Sequence, residues 1–104
     1  MSHDRVASVL QAQGDLTGVL REYRESLAIR ERLAVLDPSN AGWQRDLWVA
    51  CCWIADALER LGDPTALEWW QRAYDIFSEM KRAGMYVSPA DEQYYQQLRQ
   101  KLGR

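Results

Sequence analysis

The 104-residue sequence predicts an all-α protein, a solenoid of antiparallel helix pairs with five helices, about two repeats plus a C-terminal helix. Three observations predict it. Apolar residues recur at the helical period, and no segment sustains strand alternation. Breakers and capping residues cut the chain at Gly14-Asp15, at Asp37 to Asn40, at Gly62-Asp63-Pro64 and at the stretch ending in Pro89. Finally, "LQAQGDL" at 10–16 and "LERLGDP" at 58–64 set a Leu four residues before a Gly-Asp pair twice in one short chain.

The first predicted helix, residues 4–13, is short. The second, 17–36, gathers Leu20, Tyr23, Leu27 and Ala34 on one side, with Val19 and Leu33 beside them. The third, 43–61, has the cleanest stripe: Trp43, Leu47, Cys51, Ile54, Leu58 and Leu61 recur near the period of about 3.6. The fourth begins with Asp63 as N-cap and Pro64 at its first position, and carries Leu67, Trp70, Tyr74 and Phe77. The fifth, 89–102, opens on a Ser88 cap with Pro89 at N1 and Asp91 at N3. Tyr94, Tyr95, Leu98 and Leu102 form its stripe.

Composition narrows the class. A hydrophobic fraction of 47% and a charged fraction of 27% are those of an ordinary soluble domain. A formal net charge of −2 offers no footprint for nucleic acid. Arg21, Arg24 and Arg32 are interleaved with Glu25 and Glu31, the pattern of paired charges on a solvated helix face. No apolar run has the length of a membrane span, and the first residues lack a secretory pattern, so the expected location is the cytoplasm. Cys51 and Cys52 are adjacent, a spacing that strains any bridge between them, which fits a reducing compartment.

The corners belong to a repeat. At a shift of 48, Val6, Ala7, Leu10 and Gly14 meet Ile54, Ala55, Leu58 and Gly62. Past the corner the shift is 47, and Tyr23, Ser26, Ile29 and Leu33 meet Trp70, Ala73, Ile76 and Met80. At the same shift Leu47 and Cys51 meet Tyr94 and Leu98, so the fifth helix starts a third unit. A fixed period of this size is a solenoid signature, because each helix pair needs a neighbour to cover its apolar face.

These residues resemble the tetratricopeptide repeat family. Unit one supplies Val6, Ala7, Leu10, Gly14-Asp15, Val19, Tyr23 and Ser26; unit two supplies Ile54, Ala55, Leu58, Gly62-Asp63, Ala66, Trp70 and Ala73. The stretch "GVLREYRESLAIRERLAVLDPSNAGWQRDL" resembles the bacterial long-helix variety. Val19 is larger than the family's usual Ala, Pro64 shortens the second corner by one residue, and the last unit has no Gly-Asp corner. The resemblance implies a right-handed solenoid, one domain over 1–104: repeat one at 4–38, repeat two at 40–84 and a C-terminal helix at 89–102. Because Cys51 corresponds to His3, the first helix lacks its opening turns, and the reading expects a fragment or the C-terminal end of a longer array.

No catalytic, cofactor or metal constellation is visible. His3 stands alone near the terminus, Asp56 and Glu59 read as a solvated face, and Cys51 reads as core with Cys52 pointing to the other side. In the resembled family the first helix of each unit lines a concave groove that takes a protein or peptide partner. Carried over, the groove positions are Asp4, Ser8 and Gln11; Val49, Cys52, Asp56, Glu59 and Arg60; and Gln96 and Arg99. The face is mixed and mildly acidic and lacks the basic clamp of the chaperone-binding members. Trp48, Trp53 and Trp69 lie off the main stripes, and Tyr95 joins them as an aromatic for packing or for an interface. Arg30 sits inside an apolar arc, its stem covering apolar surface and its head reaching water. The expected function is a non-catalytic interaction module or scaffold. The alternatives are a self-associating homo-oligomer, joined through open repeat ends, and a regulatory segment of a larger bacterial protein.

Overall fold

A computed structural model describes the backbone of residues 2–104 and the side chains of residues 14–104. It is all-helical, with four helices: α1 (Ser2–Leu36), α2 (Ala41–Arg60), α3 (Ala66–Arg82) and α4 (Pro89–Lys101). The expectation of five helices is corrected here, because residues 4–13 and 17–36 form one continuous helix of 35 residues.

The two Gly-Asp pairs behave differently for a local reason. Gly62 takes φ +73°, a left-handed value that glycine adopts without a Cβ clash. Its N–H bonds Glu59 O at 3.0 Å and the Asp63 N–H bonds Leu58 O at 2.9 Å, closing α2 in a Schellman motif. Pro64 then blocks any continuation of α2. No proline follows Gly14-Asp15. A glycine inside a helix costs only about 1 kcal/mol relative to alanine, so α1 runs through.

The start of α3 also differs from expectation. Asp63 Oδ1 accepts from the backbone N–H and hydroxyl of Thr65, at 2.8 and 2.6 Å, capping a separate turn. The helix begins at Ala66, with Thr65 as the N-cap residue. Two other starts follow their caps. Asn40 Oδ1 accepts from the Trp43 N–H at 3.0 Å, and Ser88 Oγ accepts from the Asp91 N–H at 3.1 Å ahead of α4.

Each helix runs antiparallel to the next. Tyr23, Arg30 and Ala34 of α1 meet Trp53, Asp46 and Gln44 of α2. Trp70 and Phe77 of α3 meet Glu59 and Trp48 of α2, and Ser78 and Lys81 of α3 meet Tyr95 and Glu92 of α4. Helices two apart are parallel: Arg45, Trp48 and Glu59 of α2 reach Asp91, Tyr94 and Lys101 of α4 in the same chain direction.

The core centres on α2, which has α1 and α4 on either flank of its pair with α3. Eight of its residues are buried, including Trp48, Cys51, Cys52, Ile54 and Leu58. A helix with three neighbours needs an apolar arc wider than one stripe. For that reason Trp48 and Cys52, which fall off the stripe in sequence, are core residues here.

Candidate interaction surfaces

The expected groove residues do not form one open strip. Asp4, Ser8 and Gln11 lie outside the residues whose side chains are described. Cys52 is buried against α4, so it lines no open groove. Burial pushes its thiol up to about 12, with the Tyr94 hydroxyl acting the other way, and burial pushes Cys51 up to about 11. Both are free thiols, held neutral and out of reach of solvent.

Glu59 is exposed but already engaged. One carboxylate oxygen accepts from Lys101 Nζ at 3.0 Å and the other from Trp70 Nε1 at 3.2 Å. The Lys101 contact holds the Glu59 carboxyl below the usual range. Asp56 pairs along its own helix with Arg60, at 3.1 Å. Gln96 donates to Glu92 at 3.1 Å, and Glu92 holds Lys81 of α3 at 2.6 Å. Gln96 therefore belongs to the α3 flank of α4. The residues by which α4 grips α2 are Asp91, Tyr94 and Lys101, and Arg99 stays exposed. Of the residues singled out on α2, Trp53, Asp56 and Arg60 are exposed, and Val49 beside them is part-buried.

The four aromatics singled out in the sequence have separate fates. Trp48 is buried between Phe77, at 4.5 Å between ring centroids, and Tyr94, at 5.7 Å. Its Nε1–H is buried with no hydrogen-bond partner among the described residues. The ring lines a pocket of about 190 Å³ whose other walls include Gly42, Phe77, Met80, Tyr86 and Val87. Trp69 is half-buried under the Arg72 guanidinium, 5.2 Å away, and Arg72 also pairs with Glu31 of α1. Tyr95 stacks on Tyr74 at 5.1 Å and 6°, and its hydroxyl lies 2.9 Å from Ser78 Oγ. Trp53 alone keeps a large open face, 40% exposed.

Trp53 is also the best built of the four. Tyr23 packs on it at 5.5 Å, and the Arg30 guanidinium lies 4.8 Å from its ring centroid. Arg30 is fixed by donating to Ser26 Oγ at 3.1 Å and to the Asp46 carbonyl at 2.8 Å. The Arg30 head, expected to reach water, lies instead over the Trp53 ring and is tied to the chain.

Sequence reasoning missed a ladder at the α3–α4 seam. Lys81 Nζ lies 4.3 Å over Tyr95, Tyr95 stacks on Tyr74, and Arg104 lies 5.8 Å over Tyr74. Tyr74 and Tyr95 stand 21 positions apart, and only the α3–α4 turn aligns them. Among the described residues six cation–ring contacts occur, where about one or two would be ordinary, and three of them join two helices: Arg30–Trp53, Lys81–Tyr95 and Lys101–Trp70.

The two ends of the stack differ. On α4 the exposed residues include Gln93, Gln96, Gln97 and Gln100. On α1, Ile29, Val35 and Leu36 are exposed at 59%, 78% and 76%. Stacked helices need a polar last face, and α4 has one where α1 does not. Among the described residues no helix is long and apolar enough to cross a membrane, and no cluster of three or more His, Cys, Asp or Glu side chains comes together.

The fold and these surfaces define an all-α, repeat-like stack of antiparallel helices. Compared with known proteins, the chain matches no family model, no curated protein and no solved structure.

Proposed function

We propose that this chain is a non-catalytic interaction module of tetratricopeptide type that docks a protein segment. One observation carries the reading. α2 and α4 lie parallel, joined by Arg45–Asp91, Trp48–Tyr94 and Glu59–Lys101, with α3 antiparallel behind them. That is the relation of first helices in successive repeat units, the helices that line the groove in the resembled family. The corner Gly62-Asp63 between α2 and α3 is the family's turn in sequence and a Schellman turn in geometry.

The docking strip in this reading is exposed Trp53 and Asp56 with part-buried Val49 beside them on the same face of α2. An exposed Trp beside an aliphatic residue is the composition of an interface hot spot. A protein or peptide partner fits better than nucleic acid, because six cations are already tied to rings. Neutral, buried Cys51 and Cys52 suit a reducing cytoplasm, although burial would also protect them elsewhere.

A displayed random-peptide library, selected on the full chain, tests this. Selected peptides should quench or shift Trp53 fluorescence and lose at least tenfold in affinity on a Val49→Glu, Asp56→Arg variant of unchanged helicity. Peptides that bind that variant equally well would remove the strip from the proposal.

A further inference from the structure

The α1–α2 pair has an open side. Val19, Tyr23 and Leu33 of α1 are only part-buried, Ile29 is 59% exposed and Trp53 of α2 is 40% exposed. By helix geometry this side is turned away from Glu31, the residue through which α1 reaches Arg72 of α3.

The repeat shows what is missing there. At the shift of 47, Val19, Tyr23 and Leu33 correspond to Ala66, Trp70 and Met80 of α3, and those three are buried. α2 helps bury them, with Trp70 bonded to Glu59 and Met80 beside Trp48. The sequence counterpart of Ile54, Ala55 and Leu58 in α2 is Val6, Ala7 and Leu10. The segment that should cover Val19, Tyr23 and Leu33 is therefore residues 4–13. Yet α1 is a single helix from Ser2 to Leu36, and a straight helix cannot lay its first turns against its own later turns.

We propose that a second copy of this chain completes the open side: the 4–13 segment of each copy docks on the Val19–Tyr23–Leu33 face of the other, in a reciprocal exchange. The physical cause is the missing proline. Gly62-Asp63-Pro64 forces a turn, whereas Gly14-Asp15-Leu16 permits a continuous helix that sends the segment outward. Exchange of an identical element keeps the contacts that folding back within one chain would make, so it needs no new surface. The inference rests on the repeat reading given above.

The test is the solution mass of the full chain by light scattering behind a sizing column, over a wide concentration range. The expected species is a dimer of twice the 12.1 kDa chain mass. Leu16→Pro rebuilds the second corner in the first, and should halve the mass while keeping the helicity. Inserting four Gly and Ser residues between Gly14 and Asp15 should halve it too, and decides the matter if Leu16→Pro fails to fold. A monomeric parent chain would overturn the exchange, and so would a dimer that both folded variants retain. Amide exchange then separates this failure from failure of the repeat reading. In a monomer, protected amides at 4–13 mean that the segment folds back and the repeat stands. Unprotected amides there would sink both.

Discussion

Trp48 and Phe77 pack with ring centroids 4.5 Å apart and planes tilted by 38°, and this pair joins α2 to α3 at the point where α4 also arrives. Phe77 continues to Tyr95 at 4.8 Å, and Trp48 to Tyr94 at 5.7 Å. Phe77→Ala should therefore cost about 3–5 kcal/mol, a large part of the stability of a small domain. Trp48→Phe should behave differently. It loses ring volume but also removes a buried N–H that has no partner, a group worth about 1–3 kcal/mol of penalty. Its net change should stay within about 1 kcal/mol. Urea unfolding of the two variants checks the contrast, and equal losses would count against it.

The two Gly-Asp glycines should respond oppositely to alanine. Gly62→Ala must hold φ +73° with a Cβ, at a cost of about 1–2 kcal/mol. Gly14 lies within α1, and a Cβ there meets nothing within 4 Å, so Gly14→Ala should gain up to about 1 kcal/mol. A Gly14→Ala protein that loses stability would mean that the corner turns in solution.

Acid should release α4 before the rest. Lys101 and Lys81 hold the Glu59 and Glu92 carboxyls below their ordinary value of 4.5. A depressed carboxyl stabilises the fold above its unfolded value, and that contribution is lost as pH falls through the folded value. Arg45–Asp91 is the third ion pair on α4. Below about pH 4 the amides of 89–101 should exchange faster than those of α2. Equal protection of both helices at pH 3 would show that the Tyr94 and Tyr95 packing alone retains α4.

The cysteines should be inert while the chain is folded. With pKa values near 11 and 12 in place of 9.0, the thiolate fraction at pH 8 falls about 100-fold or more, and burial blocks access besides. Iodoacetamide labelling at pH 8 should be slower by at least that factor than in denaturant. Buried neutral thiols stabilise the fold below the unfolded value and lose that contribution as pH rises above about 9, so a modest loss of stability is expected there.

Helix content and helix ends were legible in the residues themselves. Asn40 and Ser88 cap where their types say they should, whereas Asp63 and Pro64, expected to open the fourth helix, stand in the turn before it. Those signals are local, written within one turn of backbone. The turn expected at Gly14-Asp15 failed because glycine permits a left-handed turn without enforcing one. The aromatic fates were not legible, because whether Trp48 or Trp53 is covered depends on other helices, through Phe77 and Tyr94 for the one and Tyr23 and Arg30 for the other.

By itself, then, the sequence determined the helical class and the three corners that the chain makes, since each is set by backbone preference and by the spacing of apolar side chains. Only the tertiary structure decided that Cys52 and Trp48 are core, that Glu59 is spent on Lys101 and Trp70, and that Trp53 stays open beneath Arg30. Those outcomes depend on which helix packs beside which, and packing is settled by shape and desolvation summed over all the neighbours at once.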